Sequence, residues 1–320
     1  MPLTEVALGI DIGGTNTKIG FVDRNGVCLA DSSVPTGEDD VDGFLPRLYK
    51  AVDKTLLPIR DRVKLLGVGM GAPNANYYKG TVEKPTNLPW RELSPLCDWV
   101  SEHYKVPAKI TNDANAAAIG EMRFGVAKGM KDFLVVTLGT GLGSGFVVNG
   151  RIAYGHDGFA GELGHVTVNP EGRMCGCGRR GCLETYVSAT GIRRTVYKLL
   201  ADHTEDSEMR RVSFDDLDAS DITQAALRGD KIAIEAFEYT GRILGLKLAD
   251  VMALLSPEAI ILFGGLTKAK EILFEPIQRH MEGNMMPIFK NKVKLLSSGL
   301  TGANTAVLGA SALIWNELEG

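Results

Sequence analysis

Apolar residues near the start of the chain fall in short runs separated by polar turns. Val6–Ile10 reads as a buried strand, and the glycine turn DIGGTNT follows it. Lys18–Val22 predicts a second strand. Asn25-Gly26 is a hairpin signal leading to a third, Val27–Ser32, so the chain opens as an antiparallel meander. The period then changes from two to about 3.6. Phe44, Leu45, Leu48, Val52 and Leu56 share one face, which predicts a helix. Val63–Gly69 reads as a buried strand and Ala72–Asn87 as a polar loop. A short helix carries Trp99 and Val100, and Lys109–Thr111 is a short strand.

The opening pattern then recurs. Phe133–Leu138 predicts a strand, GTGLGSG a glycine turn, Phe146–Asn149 a second strand, and Asn149-Gly150 turns the chain into Arg151–Ala153. Strand, glycine turn, strand, Asn-Gly, strand is the order of the first thirty residues, which points to a duplicated fold; two hairpins alike by chance is the other reading. The last third is helical, with a long amphipathic helix over Lys231–Leu255 that ends before Pro257. Ala259–Phe263 is a buried strand running into Gly264-Gly265, Lys292–Leu296 is a strand, and Ala306–Leu318 a final helix. The repeat sets a domain boundary near Thr111–Asn115. It predicts one α/β domain from 1–112 plus 303–320, the last helix returning to it, and a second from 113–302.

At about 150 residues per domain, 320 residues agree with two domains. Hydrophobic residues are 44% and charged residues 23%, which excludes a disordered chain. A net charge of −4 lacks the basic footprint of a non-specific nucleic-acid binder. No apolar run approaches the ~18 residues of a membrane span. The N-terminus has no basic region before a long apolar stretch, so a signal peptide is not expected. These readings place the protein in the cytoplasm. In that reducing compartment Cys28 and Cys97 read as small buried hydrophobes, and crowded cysteines favour metal over disulfide.

Three glycine turns each follow an apolar strand: Gly13-Gly14-Thr15, Gly139-Thr140-Gly141 and Gly264-Gly265. Backbone N–H groups in such turns can converge on phosphate oxygens, and glycine admits a ligand close to the chain. A single turn of this kind is as readily a plain hairpin; three of them point to a nucleotide clamp. The patterns GxxxxGK[ST] and a helix-opening GxGxxG are absent. Asp11 stands before the first turn, placed either to hold Mg2+ or only to cap the turn. Asn112-Asp113-Ala114-Asn115 opens an alanine-rich helix after a strand. Asp113 or Asn115 suits an N-cap; Asp113 equally suits a general base for phosphoryl transfer, whose loose transition state asks little of the base. His165 with Cys175, Cys177 and Cys182 supplies four ligands within eighteen residues, the complement of a closed, structural zinc site. Glu162 and Glu184 flank this cluster and suit vicinal sugar hydroxyls, or are solvated surface acids.

These motifs, DIGGTNTK, GAPN, PTNLPW, NDANAA, TLGTGLGSG, GELGH, CGCGRRGCLE and LFGG, resemble the ROK family of repressors, open reading frames and kinases. That family sits in the sugar kinase, actin and heat-shock ATPase superfamily. The resemblance implies two ribonuclease-H-like α/β domains around an interdomain cleft. It also implies ATP- and Mg2+-dependent phosphorylation of a hexose at its primary 6-hydroxyl. It makes Asp113 the catalytic base and Asn87, Asn112, Asp113, Glu162, His165 and Glu184 the sugar-binding set. Asp11, Gly13, Gly14 and Thr15 match the first phosphate segment, Thr140 and Gly141 the second, and Gly264 and Gly265 the region near the adenosine. His165, Cys175, Cys177 and Cys182 match zinc ligands. Glucose is the favoured sugar; N-acetylmannosamine, N-acetylglucosamine, fructose and allose kinases are the alternatives. A homodimer is implied as well. A sugar-responsive repressor is disfavoured, because the first glycine turn begins at Gly13 and leaves no room for the helix-turn-helix domain that family repressors carry before it. The chain departs from the family after Gly71-Ala72-Pro73, where Asn74-Ala75-Asn76 replaces the usual Gly-Pro.

Overall fold

The computed structural model describes residues 2–37, 39–85, 88–90, 93–300 and 305–319. The first strands are β1 (Thr4–Ile12), β2 (Asn16–Asp23) and β3 (Cys28–Pro35), an antiparallel meander as predicted. Helix α1 (Val41–Leu56) starts at Asp40, whose carboxylate accepts the N–H groups of Asp42 and Gly43. Its buried face is Val41, Phe44, Leu48, Val52 and Thr55, which takes in Phe44, Leu48 and Val52 of the expected stripe, while Leu45 and Leu56 are half-buried at its margin. Then come β4 (Val63–Gly71), the short β5 (Ala75–Asn76), β6 (Thr81–Glu83) and β7 (Leu93–Ser94), α2 (Leu96–Tyr104), β8 (Ala108–Thr111) and α3 (Asp113–Phe124). The segment Ala72–Asn87, expected to be loop throughout, therefore contains two short strands.

The second half supplies β9 (Phe133–Leu138), β10 (Leu142–Val148), β11 (Arg151–Ile152), α4 (Ala189–Asp202), α5 (Ala219–Leu227) and α6 (Lys231–Leu255). It continues with β12 (Ala259–Phe263), α7 (Glu271–Asn284), β13 (Lys294–Ser297) and α8 (Thr305–Glu319). Helix α6 begins on the Asp230 cap and stops at Ser256 in a left-handed conformation, just before Pro257.

The repeat seen in the sequence is a repeat in space. The first large sheet runs β3-β2-β1-β4-β8 and the second β11-β10-β9-β12-β13. Counted along each, the order is third, second, first, fourth, fifth. In the first sheet β4 pairs parallel with both β1 and β8; in the second, β12 pairs parallel with both β9 and β13. Strands β5, β6 and β7 form a separate small sheet. The chain thus has the mixed α/β architecture of actin-like ATPases.

Two compact units divide the chain. One comprises Met1–Lys131, Gly145–Gly161 and Ser298–Gly320; the other comprises Asp132–Ser144 and Glu162–Ser297. The division expected at 112/113 falls inside the first unit, because α3 packs along α8. The approach is close: a β-carbon on Gly309 would stand 2.5 Å from the Ala116 carbonyl oxygen. The expected return at residue 303 lies outside the described residues.

Helix α8 completes the first unit. Val307, Ala310, Leu313, Ile314 and Trp315 are buried on it, and it packs on β1, β2, β4 and β8. A β-carbon on Gly69 of β4 would lie 1.9 Å from the Ala310 carbonyl oxygen, so only glycine lets the helix settle. The Trp315 indole N–H donates to the Val22 carbonyl at 3.3 Å. Ile314 and Trp315 cluster with Ala7, apart from the larger core of Leu8, Ile10, Ile19, Phe21, Phe44 and Leu48. No helix among the described residues is long and apolar enough to cross a membrane.

Candidate functional site

Asp11, Asp113 and the glycine turns lie at the carboxyl ends of strands, the place where open α/β sheets put their ligands, while Glu162, His165, Glu184 and the cysteines lie in the long connection between β11 and α4. The candidates fall into two groups, one in each unit.

In the first unit Asp11 ends β1, Gly71 ends β4, and Asp113 opens α3 directly after β8. A β-carbon on Gly71 would stand 3.6 Å from Asp11 Oδ1 and 3.7 Å from the Asp113 Cα, so the two aspartates flank this glycine. The cap of α3 is Asn112, not Asp113 or Asn115: its side chain accepts the Ala114 N–H at 2.9 Å. Asp113 Oδ1 accepts the same N–H at 2.8 Å, and Asn115 is buried. With capping assigned to Asn112, the Asp113 carboxylate retains an exposed face. Protein crowds it elsewhere, and that desolvation raises its carboxyl pKa, opposed by the Ala114 N–H. Burial, and then the Asp113 carboxylate, raise Asp11 to about 6, while Lys18 pulls it down. Lys18 stands directly across the β1–β2 ladder from Asp11. It was not singled out from the sequence, although the strand alternation in DIGGTNTK pairs these two positions.

The first glycine turn spends one of its donors on itself. Gly13 N–H donates to the Asn16 carbonyl, and Thr36 holds the turn through its hydroxyl to the Gly13 carbonyl at 2.6 Å. Gly14 and Thr15 are exposed, and their N–H groups have no partner among the described residues.

The second unit repeats this arrangement. Gly139 N–H donates to the Gly141 carbonyl, leaving the N–H groups of Thr140 and Gly141 without a partner among the described residues. The third turn packs on the end of β9. Gly264 has φ 113°, and a β-carbon there would lie 2.5 Å from the Leu138 carbonyl oxygen, which requires glycine twice over. Gly265 next to it is exposed and starts a short 3-10 turn.

His165, Cys175, Cys177 and Cys182 converge. Their four ligand atoms all lie within 4.8 Å of one another. Cys177 and Cys182 sulfurs are 3.6 Å apart, and Cys175 Sγ is 3.7 Å from His165 Nδ1. A tetrahedral zinc with bonds of about 2.3 Å needs ligand atoms about 3.8 Å apart. The donor set and its spacing therefore fit a closed four-ligand zinc site. Burial, then the Glu184 carboxylate, push the Cys175 thiol up, and burial pushes Cys182 up. At Cys177 burial is outweighed by the Arg179 backbone N–H and the neighbouring thiols, so its pKa falls.

Both acids expected beside the cluster are found there. Glu162 Oε2 is 4.0 Å from His165 Nε2, and Glu184 Oε1 is 3.8 Å from His165 Nδ1 and 2.9 Å from Cys175 Sγ. The other Glu184 oxygen faces the second glycine turn, where a β-carbon on Gly141 would stand 2.7 Å from Oε2. One carboxylate thus joins the thiol cluster to the glycine turn. Asn87 lies outside the described residues. The departure at Asn74-Ala75-Asn76 has structural work. Asn74 adopts φ 53° and donates to the Lys84 carbonyl; buried Asn76 accepts from Tyr78 and Lys79 and donates to the Asp157 carbonyl at 2.9 Å.

Known proteins resemble the chain along its length. A glucokinase from Halalkalibacterium halodurans is 36% identical over 314 residues, covering 96% of this chain and 94% of the relative. A glucokinase from Thermotoga maritima is 34% identical, covering 98% of each. The crystal structure of a ROK family glucokinase from Streptomyces griseus, in complex with glucose and AMPPNP, superposes with a TM-score of 0.81 at 31% identity, covering 96% and 98%. The model of the ROK family matches residues 7–317, and the chain belongs to that family.

Proposed function

We propose that this protein is an ATP-dependent glucokinase that phosphorylates the primary 6-hydroxyl of glucose, with Asp113 as the general base. The observation that carries the reading is the packing of Glu184 against Gly141. A carboxylate suited to sugar hydroxyls borders a turn suited to phosphate, so an alcohol and a phosphoryl donor can share one site. The likeness to glucokinases supports glucose over other hexoses.

In this reading Glu162, His165 and Glu184 receive the sugar hydroxyls, and the Asn112 side-chain amide adds a donor. Asn87 belongs to the same set by family resemblance. Asp113 accepts the hydroxyl proton as the oxygen attacks the γ-phosphorus, and ADP departs with the electron pair of the broken bond. Free N–H groups at Gly14, Thr15, Thr140 and Gly141 receive phosphate oxygens, and Lys18 adds a positive charge beside the first turn. Gly264 and Gly265 leave space for the adenosine. Asp11 would hold Mg2+, directly or through water, and that ion neutralises phosphate charge when bound. His165, Cys175, Cys177 and Cys182 would hold a structural zinc with no open position.

The test is ADP release from purified, zinc-replete protein with Mg2+ and ATP. The sugars are glucose, N-acetylmannosamine, N-acetylglucosamine, fructose and allose. The highest kcat/KM on glucose supports the proposal. A higher value on another sugar replaces the substrate, and no turnover on any of them overturns the kinase reading. The same reading places the protein in the cytoplasm, where thiols stay reduced, and makes it a homodimer, which sedimentation equilibrium would measure.

A further inference from the structure

Arg173 precedes the cysteine cluster by two residues, yet its side chain reaches beyond the cluster. Its main chain belongs to the hairpin: Gly181 N–H donates to the Arg173 carbonyl at 2.8 Å, and Met174 bridges to Arg180. Its guanidinium grips the next segment. Nη1 donates to the carbonyls of Thr185 at 2.8 Å and Gly191 at 2.9 Å, and Nη2 donates to Thr195 Oγ1 at 3.0 Å. The guanidinium lies over the buried Tyr186 ring, 4.5 Å from its centroid, and Tyr186 Oη accepts the Arg173 backbone N–H at 3.2 Å.

Glu184 immediately precedes the gripped segment. Cys182 stands two residues before the acid, and the Thr185 carbonyl that Arg173 holds comes immediately after. The Glu184 carbonyl itself accepts the Ser188 hydroxyl at 2.7 Å. The turn is therefore fastened on both sides, by the metal-ligand cysteine before the acid and by the arginine after it. No carboxylate pairs with Arg173 among the described residues; carbonyl and hydroxyl oxygens satisfy the cation instead. The planar guanidinium spreads these donors over two nitrogens in a fixed fork, whereas an ammonium presents its three donors from a single nitrogen on a flexible stem.

We infer that Arg173 is a positioning residue that sets the Glu184 carboxylate for sugar binding, separately from the metal. The inference rests on the kinase reading above. Arg173 touches neither reactant; it acts through the backbone on which Glu184 is mounted.

The experiment compares wild type, Arg173→Ala and Arg173→Lys. Zinc stoichiometry and Tm are measured first, then glucose binding by calorimetry without nucleotide, then KM and kcat. Loss of charged hydrogen bonds predicts about tenfold weaker glucose binding and a matching rise in glucose KM. ATP KM and kcat stay within about threefold, zinc remains stoichiometric, and lysine does not restore affinity. Thr195→Val, which removes one acceptor, shifts glucose affinity in the same direction by about two- to threefold and serves if Arg173→Ala fails to fold. Wild-type glucose affinity in folded Arg173→Ala overturns the inference. Loss of zinc together with affinity overturns it too, since the metal then does the positioning. A wild type that neither binds nor phosphorylates glucose refutes the kinase reading itself, and the inference with it.

Discussion

Glu184 crowds the side of Gly141 where a side chain would begin: a β-carbon on the glycine would stand 2.7 Å from its Oε2. Contacts below 3.0 Å force a displacement, and the flexible end of the glutamate moves before the backbone does. Gly141→Ala should therefore fold with little loss of stability, below about 1 kcal/mol. The displaced carboxylate should raise glucose KM by about tenfold. Steady-state kinetics beside a thermal melt checks this; unchanged KM would mean that Glu184 does not serve the sugar.

Asp113→Asn keeps the shape of the side chain and removes the proton acceptor. A general base contributes about 10²–10⁴-fold, so kcat should fall by that range. Glucose affinity by calorimetry should stay within about threefold. Near-normal kcat would remove Asp113 from the base role.

Asp11 carries a stability cost that depends on pH. Its folded pKa is about 6 against an ordinary value of 3.8, so the native state binds the proton more tightly than the unfolded chain. Its contribution is favourable below about pH 4 and is lost as pH rises through 6. Asp11→Asn should then be more stable than wild type at pH 8, by at most about 3 kcal/mol, with the gain gone near pH 4. Urea unfolding at several pH values without nucleotide or Mg2+ measures the gap. The same variant should lose kinase activity at neutral pH, and a variant less stable than wild type at pH 8 would contradict the assignment.

Cys177→Ser removes one of the four converging ligands. Metal analysis should show zinc falling from one per chain, with Tm lowered by roughly 5 °C. Glucose KM should rise, because His165 and Glu184 share the loosened loop. Native protein purified without stoichiometric zinc would count against the metal site.

Trp315 is fully buried with Ala7 and Ile314, its indole N–H on the Val22 carbonyl. Trp315→Ala should cost about 3–5 kcal/mol. Denaturant unfolding reads this loss, and a cost below 1 kcal/mol would mean α8 packs less tightly than its burial indicates.

Periodicity and caps made several elements legible. Strands β9 and β12 and helix α6 run over the residues predicted, because each is strongly patterned and α6 has both an aspartate cap and a stop at Pro257. The thiol cluster was legible because all its ligands are close in sequence. Strands β5 and β6 were not, since two or three residues carry no period. Long-range partners were also invisible. The buried Asn76 finds Asp157, and Glu121, buried on the apolar alanine helix, accepts N–H groups from Val126 and Gly299. An acid among alanines was the one local hint at Glu121. Arg173 looked like any loop arginine, because its acceptors lie up to 22 residues downstream.

The helix that closes the first unit, α8, leaves the ribosome after every residue of the second unit has been made. Until then β1 and β4 expose the glycine-lined surface that receives it. Every strand of the second sheet, though later in sequence than the first, is made before α8. A stalled or truncated nascent chain would expose that surface, and chaperones would find it there.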